Sequence, residues 1–319
     1  MNRRAFVTGL GALLAAPLAT GAQQAGKMWR IGFLTPAEAH WDTFVEALRA
    51  LGYIEGQTVR FDVRTAENDL GRLPELATDL VRAHVDIIVA VSPPAIRAAK
   101  QATTTIPIVM RFWGGEGLVE SGVVAGLTRP GGNVTGVYMF AAELDAKRLE
   151  LLLEAVPRAR TIGVLNPGRG WSISHLRRVA DARGVRLVIS DVPAPNSYGP
   201  TFTALKKAKI DALLVPSFPR FYVEHVLIIE AAAAQRIPTG YEWGDIARAG
   251  GLIAYGPLRA DLDRRAATYV DKILKGANPG DLPIEQATTF ELVINVKTAK
   301  VLGLTIPQSL LLRADQIIE

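Results

Sequence analysis

Four apolar runs of strand length end in a small residue able to direct a hydrogen bond. They are IGFLTP (31–36) with Thr35, DIIVAVSPP (86–94) with Ser92, IGVLNP (162–167) with Asn166, and DALLVPSFP (211–219) with Ser217. Hydroxyls and amides at such ends are the directed polar groups of a ligand cleft; they are also residues that terminate strands well. Ser92 stands before Pro93-Pro94 and a helical pattern. A hydroxyl beside the N–H groups of a helix N-terminus suits a ligand carboxylate, and equally an ordinary cap. Aromatic residues gather at the other strand ends: Phe112 and Trp113, Tyr138 and Phe140, Tyr241 and Trp243, and Tyr255. They suit the apolar wall of a cleft, or core and hinge packing.

Bond-making chemistry finds no such support. The turn after the first strand, Leu34-Thr35-Pro36-Ala37-Glu38, lacks the glycines that let a backbone approach a pyrophosphate. The glycine-rich pieces at 114–117 and 168–170 have the wrong spacing, and the stretch 21–27 fails as a P-loop at Met28. His40, His84, His175 and His225 are scattered without metal-ligand spacing, and no Gly-x-Ser-x-Gly elbow is present. The absence of cysteine removes disulfides, thiolate metal sites and a cysteine nucleophile. No catalytic residue, metal ligand or cofactor is expected.

The elements that position the strand-end residues occur twice. Ile31, Asp86 and Ile106-Pro107 find counterparts at Ile162, Asp211 and Ile237-Pro238, at offsets of 131, 125 and 131 residues and in the same order. Each string is a buried strand feeding a crossover helix, so the fold class is α/β, with two similar doubly wound parallel-sheet domains facing each other across a cleft. In the first half Val59, Phe61 and Val63 alternate with Arg60, Asp62 and Arg64, as in a strand with one wet face; Leu73, Leu76 and Leu80 mark a helix. The stretch 134–140 is expected to cross between halves first, 249–257 to return to the first half, and 283–294 to cross a third time. A single long helix is expected over 221–235. The domains are then 28–137 with 256–284, and 138–255 with 285–319, joined by about three hinge crossings.

Residues 1–22 read as an export signal: Arg3-Arg4 before Phe6, an apolar stretch to Ala19, and small residues to Ala22. The arginine pair resembles a twin-arginine signal. Its removal takes two arginines and no acid, leaving 34 basic against 31 acidic residues, a net charge of +3. That charge is dispersed, which disfavours nucleic acid as a partner.

Taken with these features, GYIEGQTV (52–59), TTTIPIV (103–109), RPGGNVTGV (129–137), KRLELL (147–152), AGGLIAYGP (249–257), YVDKILKGANPGDLPIEQATTFELVIN (269–295) and KTAKVLGLTIPQSLL (297–311) resemble the ABC-transporter substrate-binding proteins of type I periplasmic-binding fold. Better-known members of that family bind tryptophan or other aromatic amino acids. The resemblance implies a monomeric periplasmic protein that closes on a small solute and delivers it to an inner-membrane permease with a cytoplasmic ATPase. It implies ligand contacts at Thr35, Ser92, Tyr138, Asn166, Ser217 and near Tyr241. Trp113 to Glu116 stand where relatives often carry Gly-Gly-Asp, and 241–245 replaces a segment that often includes Arg-Glu. The expected ligand set is therefore Thr35, Ser92, Pro93, Phe112, Trp113, Glu116, Tyr138, Asn166, Ser217, Tyr241 and Trp243. A periplasmic sensor for a membrane signalling protein, or an exported enzyme, is the alternative on the same scaffold.

Overall fold

The computed structural model describes residues 27–36, 41–112, 117–139, 141–166, 172–192 and 198–319; the leader expected over 1–22 lies outside them. The first half runs β1 (Trp29–Thr35), α1 (Asp42–Ala50), β2 (Val59–Thr65), α2 (Leu73–Arg82), β3 (Ile87–Val91), α3 (Pro93–Ala102), β4 (Ile108–Phe112) and β5 (Val134–Tyr138). The second continues with α4 (Ala141–Ala155), β6 (Thr161–Asn166), α5 (Ser174–Arg183), β7 (Arg186–Asp191), α6 (Tyr198–Lys207), β8 (Ala212–Leu214), α7 (Pro219–Val223), α8 (His225–Gln235), β9 (Thr239–Tyr241), α9 (Gly244–Arg248) and β10 (Ile253–Pro257). The chain closes with α10 (Arg259–Leu274), β11 (Glu285–Gln286), β12 (Phe290–Asn295), α11 (Val296–Leu302), α12 (Gln308–Leu311) and β13 (Gln316–Ile318).

Two sheets result, ordered β2-β1-β3-β4-β5-β11 and β7-β6-β8-β9-β10-β12-β13. The first is parallel throughout, and in the second only the β10–β12 pair is antiparallel. Both begin edge-second-first-third-fourth-fifth, so the chain reverses direction between β1 and β3 and again between β6 and β8. Ligands of open α/β sheets bind at the carboxyl side of such reversals. Thr35 and Ser92 stand at the first, Asn166 and Ser217 at the second.

The duplication extends to side-chain roles. The Asp86 carboxylate accepts the backbone N–H of Arg30, and the Asp211 carboxylate accepts that of Thr161 at the equivalent place. Ile88 N–H bonds the Pro107 carbonyl as Leu213 N–H bonds that of Pro238. Gly32 lies beneath Leu80 and Val85, while Gly163 lies beneath Leu205 and Ile210, the residues 125 further on. A methyl group at either glycine would crowd these side chains, which must give by a few tenths of an ångström at Gly32 and more at Gly163.

Each sheet buries both faces. Leu34, Ile88, Ala90 and Met110 meet α2 and α3 through Leu76, Leu80, Ile96 and Ala99. Ile31, Phe33, Ile87 and Val89 belong instead to a cluster that includes Phe44, Leu262 and Val270 and continues into Leu213, Phe202 and Ile228 of the second half. A continuous apolar cluster couples the halves. Arg111 of β4, 2 % exposed, donates from Nε and Nη2 to Asp263 of α10 at 2.5 and 2.9 Å, which pins α10 to the first sheet.

Three local expectations change. The strand in 249–257 does not return to the first half: β10 pairs with β9 and β12 in the second sheet, and the crossing follows it at Leu258. The helix expected over 221–235 breaks at Glu224, whose carboxylate takes the Tyr198 hydroxyl at 2.5 Å. On β2 it is Asp62 that is buried and Val63 that is exposed, because the Arg30 guanidinium grips Asp62 at 3.0 and 3.1 Å on this edge strand. The passages between sheets run side by side: Ala287 N–H bonds the Tyr138 carbonyl, and Leu258 N–H bonds that of Thr289.

Candidate ligand-binding site

Loops that follow strands of the two sheets meet at a groove. The loop after β2, Glu67 to Asp69, and the α7–α8 corner, Val223 to Leu227, together line a groove of about 660 Å³.

On the first rim Ser92 holds φ +78° and ψ 154°, a conformation L-residues rarely adopt. Its hydroxyl is 96 % buried by residue, caps nothing, and has no hydrogen-bond partner among the described residues. The reason is local: Pro93 and Pro94 open α3 without N–H groups, so the donors a capping serine ordinarily satisfies are reduced. Ala95 is the first helical residue able to offer one. A buried hydroxyl left without a partner costs on the order of 1–3 kcal/mol, and strained backbone persists chiefly at functional sites. Thr35, 2 % exposed, ends the adjacent strand, and its carbonyl accepts the Ala66 N–H. Tyr138, at the end of β5, has its hydroxyl pKa raised by burial and by the nearby Glu143 and Glu120. Phe112 closes β4, its side chain undescribed; Trp113, Glu116 and Phe140 lie outside the described residues.

The second rim is charged. The Asn166 amide donates to Asp191 at 2.6 Å. Ser217 directs its N–H to Asp145 Oδ1 at 3.4 Å. Asp145 and Arg148, both in α4, pair at 2.5 Å, and Arg148 also donates to the Tyr255 carbonyl at 2.6 Å. Its remaining nitrogen Nη2 stands 3.4 Å from Glu242 Oε1, and neither atom makes a hydrogen bond. Burial pushes the Glu242 carboxyl up, with Arg148 and the Ser217 hydroxyl opposing it; burial likewise pushes Asp145 up against Arg148. His175, the first-turn histidine of α5, approaches Asp145 Oδ2 at 3.9 Å, and burial lowers its pKa.

Tyr241, 1 % exposed, packs into the core with its ring against Gly251, where even a methyl group would come within 2.6 Å of it. Trp243 stands edge-on to Tyr222 at 6.4 Å, with the Arg259 guanidinium 6.0 Å from its ring. Arg259 opens α10 and bonds both the Tyr222 hydroxyl and Asp245 Oδ2, the latter at 3.1 Å. It thus ties the helix held by Asp263 to the second rim.

Asp145, Arg148, Glu242 and Arg259 escaped the sequence reading. Asp145 and Arg148 follow the three-residue spacing of any helical ion pair, and Glu242 lies between two aromatic residues that drew more notice. Among the described residues no three potential metal ligands gather, and no helix is long and apolar enough to cross a membrane.

Known proteins share this fold. A tyrosine-binding protein of Clostridioides difficile is 29 % identical over 266 residues, which cover 82 % of this chain and 75 % of the relative. The chain superposes on an ABC domain from Streptococcus pneumonia in complex with L-Trp with TM-score 0.81 at 27 % identity, covering 92 % of this chain and all of the other. Against the ligand-free, open structure of an adhesive substrate-binding protein from Clostridium difficile the TM-score is 0.64 at 26 % identity, with 91 % and 99 % covered. The model of the ABC transporter substrate binding protein family matches residues 37–318. Its members are typically exported or extracytoplasmic. This chain belongs to that family, whose members are substrate-binding proteins rather than enzymes and serve membrane ABC transporters with a small-molecule ligand.

Proposed function

We propose that the protein is the exported solute-binding component of an ABC importer, which captures a small carboxylate-bearing solute between its lobes by hinge closure. The ligand class is an amino acid or an aromatic carboxylate. The observation that carries this reading is Ser92: a strained, buried residue at a chain reversal and at the opening of a ten-residue helix, its hydroxyl without a partner among the described residues. A carboxylate there would satisfy the hydroxyl and meet the partial positive charge of the helix end.

Thr35, Pro93, Phe112, Trp113, Glu116 and Tyr138 join Ser92 from the first lobe in this proposal, and Asn166, Ser217, Tyr241 and Trp243 complete the enclosure from the second. The domains are 28–137 with 256–284, and 138–255 with 285–319, after loss of a leader over 1–22, with the strand ends Tyr138, Gly256–Pro257 and Glu285–Gln286 reaching across these bounds into the opposite sheet. Side-by-side crossings let them rotate while each core stays intact. The better superposition on the L-Trp complex than on the open structure, at nearly equal identity, supports reading this arrangement as the closed one. The partners are an inner-membrane permease and its cytoplasmic ATPase, and the protein acts as a periplasmic monomer.

A thermal-shift screen over amino acids, small carboxylates and aromatic compounds tests the reading. A ligand at 100 times its Kd stabilises the native state by about 2.7 kcal/mol. The double variant Ser92→Ala, Tyr138→Ala is expected to abolish that shift while keeping the fold. An undiminished shift in the double variant would refute the site, and no shift from any compound would refute the ligand class.

A further inference from the structure

Among the described residues the charges on the second rim do not balance. Asp145, Arg148 and Glu242 are 1, 2 and 5 % exposed, and two carboxylates share one guanidinium. Arg148 spends Nη1 on Asp145 and Nε on a carbonyl, so Glu242 Oε1 receives only the looser 3.4 Å approach of Nη2. His175 adds no compensating charge while its buried ring stays neutral. Asp245, the next acid along the chain, is engaged by Arg259 and Tyr222. Counting the described residues, one negative charge is left over in a place where an uncompensated ion costs several kcal/mol. Ser217, half-buried, connects this cluster to the rim, and it is the counterpart of Ser92 in the duplication.

We infer that Glu242, seated by Arg148 and Ser217, is a specificity determinant that recognises an ammonium group on the ligand. The inference rests on the carboxylate-binding role proposed for Ser92 and deepens it. A ligand held by its carboxylate at Ser92 on the first rim and by its ammonium at Glu242 on the second is a zwitterion, so the site selects α-amino acids over the acids that lack nitrogen. Each half of the charge pair then draws one lobe, and closure brings the missing cation to Glu242.

Calorimetric titration of the purified protein with matched pairs tests this: L-tryptophan against indole-3-propionate, L-tyrosine against 4-hydroxyphenylpropionate, and L-phenylalanine and L-leucine against their des-amino acids. The amino acid of the pair that binds is expected to be tighter by about 10- to 100-fold, the range of a hydrogen bond to a charged group. In Glu242→Gln that ratio is expected to collapse toward one. Equal binding of both members to the wild-type protein would overturn the inference and leave the carboxylate reading standing. If no member of any pair binds, both fall together. If Glu242→Gln weakens both members alike, its role is structural and the inference fails; should that variant not fold, the wild-type ratio decides alone.

Discussion

Ser92 and Ser217 lie 125 residues apart at the same place in two copies of one folding unit, and they do different things. Ser92 is sealed and strained before two prolines, its hydroxyl unbonded among the described residues. Ser217 is half-buried and bonded into a cluster of ions. The buried arginines of the two lobes diverge in the same sense. Arg111 meets one aspartate through two nitrogens and lies 4.7 Å from the Trp41 ring, a closed pair. Arg148 is divided among Asp145, Glu242 and a carbonyl, an open arrangement with a negative charge to spare. A duplicated framework fixes where the rims stand, and each rim then acquires its own electrostatics.

The largest effect expected from breaking this comparison lies in the closed pair. Asp263→Ala removes two hydrogen bonds and the counter-charge from the buried Arg111 guanidinium and should cost about 3–5 kcal/mol, read from urea denaturation. A loss below about 1 kcal/mol would mean that Arg111 finds other partners and that the contrast between lobes is overstated.

The duplicated framework is probed by Gly163→Ala and Gly32→Ala. A methyl group at Gly163 would come 2.7 Å from Ile210, and one at Gly32 would come 3.0 Å from Leu80. Overpacking of this kind typically costs about 1–3 kcal/mol. Both variants should lose stability, Gly163→Ala more, and a reversed order would show that the two helix–strand contacts are not equivalent.

The smallest effect sharpens the open arrangement. Burial raises the Glu242 carboxyl above its ordinary value of 4.5, so the folded protein holds that proton more tightly than the unfolded chain. The associated stability is fully present below about 4.5 and is lost as pH rises through the raised value. Glu242→Gln escapes that loss, so its stability relative to the wild-type protein should improve as pH climbs from below 4.5, followed by denaturation at a series of pH values. A difference independent of pH would mean that Arg148 compensates Glu242 fully.

Much of the framework was legible in the chain because its signals are local. Runs such as IGFLTP and IGVLNP are apolar over the length of a strand buried on both faces, and the repeat at offsets of 125 and 131 carries matched glycines, aspartates and Ile-Pro steps into matched contacts. The positions of Thr35, Ser92, Asn166 and Ser217 at chain reversals followed from the same pattern. Tyr241 was less legible: an aromatic residue at a strand end reads alike in sequence whether or not its ring also packs on a neighbour such as Gly251. The assignment of 249–257 to the first half missed because periodicity specifies a strand and not the sheet it joins; antiparallel pairing with β12, a segment some forty residues on, holds β10 in the second sheet.

By itself the order of residues determined that two α/β units would form and which ends of their strands would carry polar groups, since strand length, turn residues and buried periodicity act over a few neighbours. Only the tertiary structure decided that Glu242 would meet Arg148 and Asp145 across almost a hundred residues of chain, leaving a charge uncancelled among the described residues, and that the Ser92 hydroxyl would be buried without a partner among them. Coulomb attraction and burial depend on distance in space, and that distance is set only when the whole chain has folded.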